Sequence, residues 1–444
     1  MVSTRAKALA QSEPFLVKAH FECAVDEYSL SNPNGFINLG TAENHLLWDI
    51  LQPMFNQVQV TEEKTIHYDQ LYGSRKLRTG IATYLERVSE ERSIDPDCLV
   101  VAAGGSAVIE MLIYALCEPG DGILIPAPYY SGFDFDMGAR CAAVPIPITL
   151  HSDDRFSLTI ADVQKAYLQS KEHGMRPKVL LITSPNNPVG SIYSRELIAE
   201  LITFCESEKI DCIFDEVYAH SCFGSPGFSS SLAFTSNHVH TVYSFAKDIA
   251  LSGLKTGVAH STNSQVLSAL HSLSYFSPVS THTQNLLAEL LNNEAGLTEV
   301  LFANRRRLRE SYEFLTAQLA KYKIEYMKSQ AGLFLLLDLR AYLDSKTFDA
   351  EHTVWEKLFY QGKVSTSPGS VFHIEEPGFF RICFARPKEI LEEGVARMAR
   401  ILNASKSVTP REAVPKPEIE LKMGIDPICG DQFFYFEYPE NYRR

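Results

Sequence analysis

Short, uninterrupted β-branched and aliphatic runs alternate with helix-spaced apolar residues between Asp97 and His260. The runs are Leu99–Ala103, Ile123–Pro126, Val179–Thr183, Cys212–Asp215, Thr241–Ser244 and Gly257–His260. Runs of this kind predict strands of a mostly parallel sheet covered by helices on both faces. One intervening helix begins at Ser106, aligns Val108, Met111, Leu112, Ala115 and Leu116 on one side, and stops near Pro119-Gly120. After His260 the pattern lengthens. Val266–Leu291 and Leu297–Ala320 read as long helices, the second studded with Arg305, Arg306, Arg307 and Arg309. A strand (Gly332–Leu339), a helix (Thr353–Gln361), a strand (Phe380–Phe384) and a last helix (Lys388–Leu402) follow. The expected division is an N-terminal segment, 1–50, packing with a small α+β domain, 291–404, beside a large domain, 51–290. A tail, 405–444, carries Pro410, Pro415 and Pro417 and then Phe433, Phe434, Tyr435, Phe436, Tyr438 and Tyr442. It reads as a segment pinned to the domain surface, or as a cover for a functional site or a subunit contact.

The chain has 444 residues, 45% hydrophobic and 21% charged, enough apolar material for a large core rather than disorder. A net charge of −13 repels phosphate backbones, so no nucleic-acid partner is expected. Nine cysteines without a CxxC pair suggest reduced thiols in a cytoplasmic protein, not disulfides or a metal site. No apolar stretch approaches the roughly 20 residues of a membrane helix, and Met1–Phe15 lacks the apolar core of a signal peptide. A soluble enzyme is expected.

Candidate chemistry gathers just past the predicted strands, where open α/β sheets bind ligands. Tyr243-Ser-Phe-Ala-Lys247 leaves one buried run and leads on to Lys255 and Gly257. A lysine there suits Schiff-base chemistry, because partial burial lowers its pKa and frees the amine as a nucleophile. Alone, it reads more simply as a solvated lysine. Ser184-Pro-Asn-Asn187-Pro-Val-Gly190 makes a turn after Val179–Thr183, and Cys212-Ile-Phe-Asp215-Glu-Val-Tyr218 ends the next run in an acid. A buried carboxylate needs a cationic partner, and a protonated pyridine nitrogen is one. Asn187 and Tyr218 can then both reach a phenolate oxygen on the same ring. Gly104-Gly105-Ser106-Ala107 ends a strand and opens a helix, offering backbone N–H groups, the helix dipole and a hydroxyl to a phosphate. Lys255 adds a cation to that site, and Tyr130 of Pro128-Tyr-Tyr130 adds a ring to stack on the cofactor.

In this order the chain resembles the fold-type-I pyridoxal-phosphate enzymes, the aminotransferase class I/II superfamily. Within it, the resemblance is to 1-aminocyclopropane-1-carboxylate (ACC) synthases and ACC synthase-like proteins. Further stretches that carry it are Gly40-Thr-Ala-Glu-Asn44, Ala127-Pro-Tyr-Tyr-Ser-Gly-Phe-Asp134 and Phe276-Ser-Pro-Val-Ser-Thr-His-Thr-Gln284. Toward the C-terminus come Ala331-Gly-Leu-Phe334 leading to Asp338-Leu-Arg340, Ser367-Pro-Gly-Ser370, and Glu376-Pro-Gly-Phe-Phe-Arg381-Ile-Cys-Phe-Ala385. Together they span about Gln11 to Leu402 and leave the tail unmatched. The resemblance implies an α/β fold with a mostly parallel seven-stranded sheet between helices plus a smaller α+β domain, in a homodimer with shared active sites. It implies pyridoxal 5′-phosphate on Lys247, which later moves the substrate's α-proton. Asp215 would face the pyridine nitrogen, Asn187 and Tyr218 the ring hydroxyl, and Tyr130 the ring face. Gly105, Ser106, Ala107, Ser244 and Lys255 would bind the phosphate. Arg381 would fork onto the substrate α-carboxylate, and Glu43 would lie near the substrate unless it is only a helix-start carboxylate.

Two positions depart from the pattern. Lys255 stands where the family usually has arginine, which keeps the charge and loses the fork. In Tyr68-Asp-Gln-Leu71-Tyr-Gly73, Leu71 replaces the ACC synthase tyrosine implicated in ring closure, whereas Tyr68 stands where many aminotransferases carry theirs. Tyr72 could substitute only if the loop shifts, so Tyr68 and Tyr72 join Lys247 as catalytic candidates. The expected activity is lyase or γ-substituent elimination or replacement on a sulfur-bearing L-α-amino acid, such as S-adenosylmethionine or a thioether conjugate. The alternative is an aminotransferase. A remote one is a non-catalytic cofactor-binding regulator or partner, against which stand Lys247 itself and the short stretch before Gln11, too small for a three-helix DNA-binding domain.

Overall fold

The computed structural model describes residues 2–11, 14–58, 63–90, 92–224, 227–405, 420–425 and 432–437. Seven strands make the main sheet: β1 (Leu99–Ala102), β2 (Gly122–Ala127), β3 (Val144–Thr149), β4 (Pro177–Thr183), β5 (Asp211–Asp215), β6 (Val239–Ser244) and β7 (Gly257–Ser261). Their order is β1-β7-β6-β5-β4-β2-β3. Neighbours run parallel except β7, which is antiparallel to both β1 and β6. Every residue of β1, β2, β6 and β7 is buried; β1 and β2 read as unbroken apolar runs, whereas β6 and β7 also bury the polar residues His240, Thr241, Ser244, His260 and Ser261. β3 breaks that pattern with Pro145 and Pro147. It lies at the sheet edge, where a missing N–H is tolerated, and only Val144, Ile146 and Ile148 point inward.

Alternate residues of the strands feed two cores. Val100, Ala102, Ile123 and Ile125 meet α1 (Gly105–Leu116) through Val108, Met111 and Leu112. Leu99, Val101, Tyr243 and Val258 face the opposite side. The predicted helix over Val266–Leu291 is two helices, α2 (Ser264–Leu273) and α3 (Thr281–Asn292). Pro278 stands in the gap, and Ser280 caps α3 by accepting from the Thr283 N–H.

The smaller sheet contains β8 (Glu325–Tyr326), β9 (Phe334–Asp338), β10 (Ser367–Pro368) and β11 (Phe379–Cys383), all antiparallel, in the order β10-β11-β9-β8. Its core takes in Phe36, Ile37 and Leu39 from the N-terminal segment, and Ile37–Asn38 pairs in parallel with Val364–Ser365. A 28-residue helix, α4 (Glu294–Lys321), joins the two halves. Leu297, Val300 and Leu301 lie in the core under the large sheet, whereas Leu308, Leu315 and Leu319 lie in the core of the small one. In the tail, Glu420–Ile425 and Gln432–Glu437 pair as antiparallel strands. The packing expected of the tail's aromatic side chains lies outside the described residues. Among those residues, no helix is long and apolar enough to cross a membrane.

Candidate active site

Lys247 follows β6 by three residues, and its Nζ donates to the Ala42 carbonyl oxygen at 2.7 Å. Burial is the main force pushing its pKa down, to about 8, with the Arg381 charge adding to it; Cys383, Glu43 and Asp215 pull the other way. The next residue, Asp248, is fully buried and fixes the loop from behind. It accepts from the His220 N–H at 2.9 Å, Ser221 Oγ at 2.5 Å and the Tyr243 hydroxyl at 2.7 Å. On the other side, Asn44 Nδ2 bridges to Asn304 Oδ1 at 2.8 Å and to the Lys247 carbonyl oxygen at 3.4 Å. An amine held this way gives up its proton more readily than an ordinary lysine. Reductive labelling of Lys247 by an aldehyde is therefore expected to rise as the pH passes through about 8, while exposed lysines label only at higher pH. Peptide mass mapping across the pH series reads this directly.

Asp215 ends β5 and is 6% exposed. It accepts one long bond, from the Val217 N–H at 3.4 Å, and burial lifts its pKa to about 7. No ion pair holds it among the described residues. Such an acid is short of a cation, the condition that a protonated pyridine nitrogen meets. Asn187 and Tyr218 are 4% and 2% exposed. Burial drives the Tyr218 phenol upward against the Arg381 charge. The turn carrying Asn187 closes through Gly190, at φ +73°, where a Cβ would fall 1.9 Å from Ser329 Oγ. Its carbonyl accepts from the Gln330 and Ala331 N–H groups. Tyr130, whose phenol burial also raises, feels the charges of Asp136, Arg381 and Asp215.

α1 begins at Gly105, after Gly104 at φ +99°. Built Cβ atoms there would lie 3.7 Å from Lys255 Nζ (at Gly104) and 3.6 Å from Ser244 Cβ (at Gly105), so both side chains converge on the helix start. Ser106 and Lys255 are exposed. With first-turn N–H groups, hydroxyls and a cation, the arrangement suits a phosphate. It depends on β7 approaching closely, because a Cβ on Gly257 would fall 2.5 Å from the Gly104 carbonyl carbon. Gly257→Ala is expected to cost about 1–3 kcal/mol of stability and to weaken cofactor capture. Thermal melts and an absorbance titration with pyridoxal phosphate check both.

Arg381 lies on β11 opposite Leu336 and Ser367 and is 2% exposed. Nη1 donates to Asn187 Oδ1 at 2.8 Å and Nη2 to the Gly40 carbonyl oxygen at 2.6 Å. The guanidinium carbon sits 4.7 Å from the centre of the Phe372 ring and 5.2 Å from that of Phe334. Nε has no hydrogen-bond partner, and among the described residues no carboxylate pairs with the group. Burial lowers its pKa, with Tyr218, Cys383 and Tyr130 opposing. A buried cation without an anion, beside Lys247, is fitted to receive one.

Glu43 lies in the extended segment before the helix Trp48–Gln57, so it is not a helix-start carboxylate. It accepts from Ser252 Oγ, and its Oε2 lies 3.3 Å from His45 Nε2. The His45 hydrogen bond is the main cause holding its pKa down, at about 2, so the group stays charged. Tyr68 is fully exposed, and Tyr72 stacks on His271 with ring centres 4.1 Å apart. Lys247, Asp215, Asn187, Tyr218, Tyr130, Arg381 and Glu43 thus gather around one site, whereas Tyr68 points to solvent and Tyr72 to His271. The carbonyls of Gly40 and Ala42, the Phe334 and Phe372 rings and Asp136 also belong to the site, and none was singled out from the sequence. Backbone acceptors leave no mark in a sequence, and the two phenylalanines read as core.

A family model described as aminotransferase class I and II matches residues 35–398. The chain is 35% identical over 372 residues to 1-aminocyclopropane-1-carboxylate synthase 11 of Arabidopsis thaliana, covering 80% of this chain and 81% of that protein. It is 33% identical over 400 residues to 1-aminocyclopropane-1-carboxylate synthase of Nicotiana tabacum, covering 86% and 82%. In fold it is similar to an aspartate aminotransferase double mutant of Thermus thermophilus, with a TM-score of 0.74 and 21% identity over 90% of this chain and 99% of that one. An aromatic aminotransferase from Pyrococcus horikoshii gives 0.74 and 22%, over 88% and 100%. Since the matched span includes the main sheet, the small sheet and each gathered residue from Glu43 to Arg381, the chain belongs to the class I and II aminotransferases, enzymes that work with pyridoxal 5′-phosphate.

Proposed function

We propose that this enzyme, ACC synthase-like in sequence, eliminates or replaces a β- or γ-substituent on a sulfur-bearing L-α-amino acid such as S-adenosylmethionine or a thioether conjugate. The observation that carries the reading is Arg381, a buried guanidinium lacking an anionic partner and set beside a lysine whose amine is readily freed. Pyridoxal phosphate, when bound, supplies an electron sink for the charge left at the substrate α-carbon. The chain's own residues do the rest. Arg381 binds the α-carboxylate, Lys247 takes the α-proton on Nζ, and Asp215 keeps a proton on the ring nitrogen. Asn187 and Tyr218 orient the ring hydroxyl, Tyr130 covers one ring face, and Gly105, Ser106, Ala107, Ser244 and Lys255 hold the phosphate. Glu43, charged and partly exposed, favours a substrate side chain bearing a positive centre. Relatives named 1-aminocyclopropane-1-carboxylate synthase support the lyase direction.

Transamination is the second reading, because Leu71 offers no hydroxyl and Tyr68, fully exposed, is free to reach a second copy's site in a homodimer. Exposed Tyr275 and Phe276 support such a pairing. A reducing, cytoplasmic compartment suits the eight described cysteines, all free. Incubation with candidate amino acids and no keto acid separates the readings. Continuous release of thiol, ammonia or keto acid is the expected result; one turnover that stalls until a keto acid is added makes the protein an aminotransferase.

A further inference from the structure

His373 ends the turn Gly369–Phe372 at φ +61°, a left-handed conformation that is costly for a residue with a Cβ and that glycine adopts freely. Contacts to the large domain hold its ring there. It stacks on the Tyr129 ring with centres 4.3 Å apart and planes 20° apart. Asp134, in the first turn of the helix Gly132–Gly138, accepts from the Tyr129 hydroxyl at 2.7 Å, and its other oxygen lies 2.7 Å from His373 Nε2. A carboxylate only accepts, so the imidazole carries a hydrogen on Nε2. A further link runs through the backbone, where the Tyr129 N–H donates to the Phe372 carbonyl oxygen at 3.0 Å. None of the roles above uses His373 or Asp134.

This splice joins two loops that each enter the site one residue away: Tyr130 follows Tyr129, and Phe372 precedes His373. Hydrogen bonds to Asn187 and Gly40 hold the Arg381 guanidinium within its own plane, which leaves the Phe372 and Phe334 rings to limit movement out of it. The loop does not need His373 to stay on the fold. Farther along it, Glu376 accepts from the Ser152 N–H at 2.8 Å and from Arg340 Nη1 at 3.1 Å, and Phe372 itself is fully buried. A strained residue kept where anchorage is already made points to function. We infer that His373 is a positioning residue for substrate recognition: stacked on Tyr129 and bonded to Asp134, it keeps the Phe372 ring against the Arg381 guanidinium, so that the fork is aimed before a carboxylate arrives. The inference rests on reading Arg381 as the anchor of the substrate carboxylate.

The test is made on the holoenzyme. Shifts of the cofactor's visible band give apparent affinities for S-adenosylmethionine, L-methionine and L-alanine and for the carboxamide of each, and the ratio within each pair measures the preference for a carboxylate. His373→Ala keeps the left-handed strain and loses the ring, whereas His373→Gly loses both, so the glycine variant should melt at the higher temperature. The preference should nevertheless fall in both, to the same extent and by roughly fivefold or more. A merely structural residue gives a different pattern, in which the preference survives or returns in the glycine variant together with the stability. Either result overturns the inference. Asp134→Ala cuts only the hydrogen-bonded arm; it should lower the preference by more than about twofold, and adding it to His373→Gly should lower it no further. Losses that multiply in the double variant also overturn the inference. If neither His373 variant folds, Asp134→Ala decides, because that side chain is half exposed. A preference then within about twofold of wild type overturns the inference. Wild type that holds none of the acids more tightly than its carboxamide overturns the reading of Arg381, and the inference with it.

Discussion

Lys247→Ala is expected to lower turnover by roughly 10⁴-fold or more while leaving the fold intact. The side chain makes one hydrogen bond, to the Ala42 carbonyl, so its loss leaves a single acceptor unmet. The loop itself is held by Asp248, Tyr243, Ser221 and Asn44, none of which depends on the amine. Both the covalent hold on the cofactor and the base for the α-proton disappear, which is why a loss larger than that of a single proton-transfer group is expected. An added small amine should restore part of the activity, with a dependence on the amine's own pKa. Circular dichroism and the visible spectrum separate a chemical loss from a folding loss. Unchanged turnover would remove the basis of the whole functional assignment.

Arg381→Ala should act on a different parameter. The loss of two charge-assisted contacts to a carboxylate is worth about 2–5 kcal/mol, so kcat/KM should fall by roughly 30- to 5000-fold, largely through KM. Some of that comes from the protein itself, since Asn187 Oδ1 and the Gly40 carbonyl lose their donor and the Phe334–Phe372 slot is left partly empty. Arg381→Lys keeps the charge without the fork and should fall between wild type and alanine. The discriminating measurement compares an amino acid with its carboxamide. Wild type should strongly prefer the acid, and the alanine variant should not. If the preference survives the substitution, another cation anchors the substrate.

How legible all this is in the sequence depends on what each residue must do. Strands buried on both faces are apolar over much of their length, so β1, β2, β4, β5, β6 and β7 stand out as runs. β3 is hidden because an edge position lets Pro145 and Pro147 in. The break between α2 and α3 is marked by Pro278, although periodicity alone carries the helix straight through. Asp215, Asn187, Lys247 and Arg381 are visible as polar residues placed where apolar ones would otherwise continue. Asp136 differs: an acid in a short helix is the commonest of surface features, and only three-dimensional burial shows it to be confined. The place of Tyr68 and Tyr72 is set by a loop whose partners are not encoded next to it.

Two of the acceptors of Arg381, Gly40 and Asn187, stand 341 and 194 positions away along the chain, one in the N-terminal segment and one on a turn of the main sheet. Recognition of a ligand and the interlocking of three distant stretches of polypeptide are therefore a single event. Occupancy by a molecule bearing a carboxylate should slow amide hydrogen exchange around residues 37–42, far from any atom that reacts, and an otherwise equal molecule without it should leave that segment opening at its resting rate.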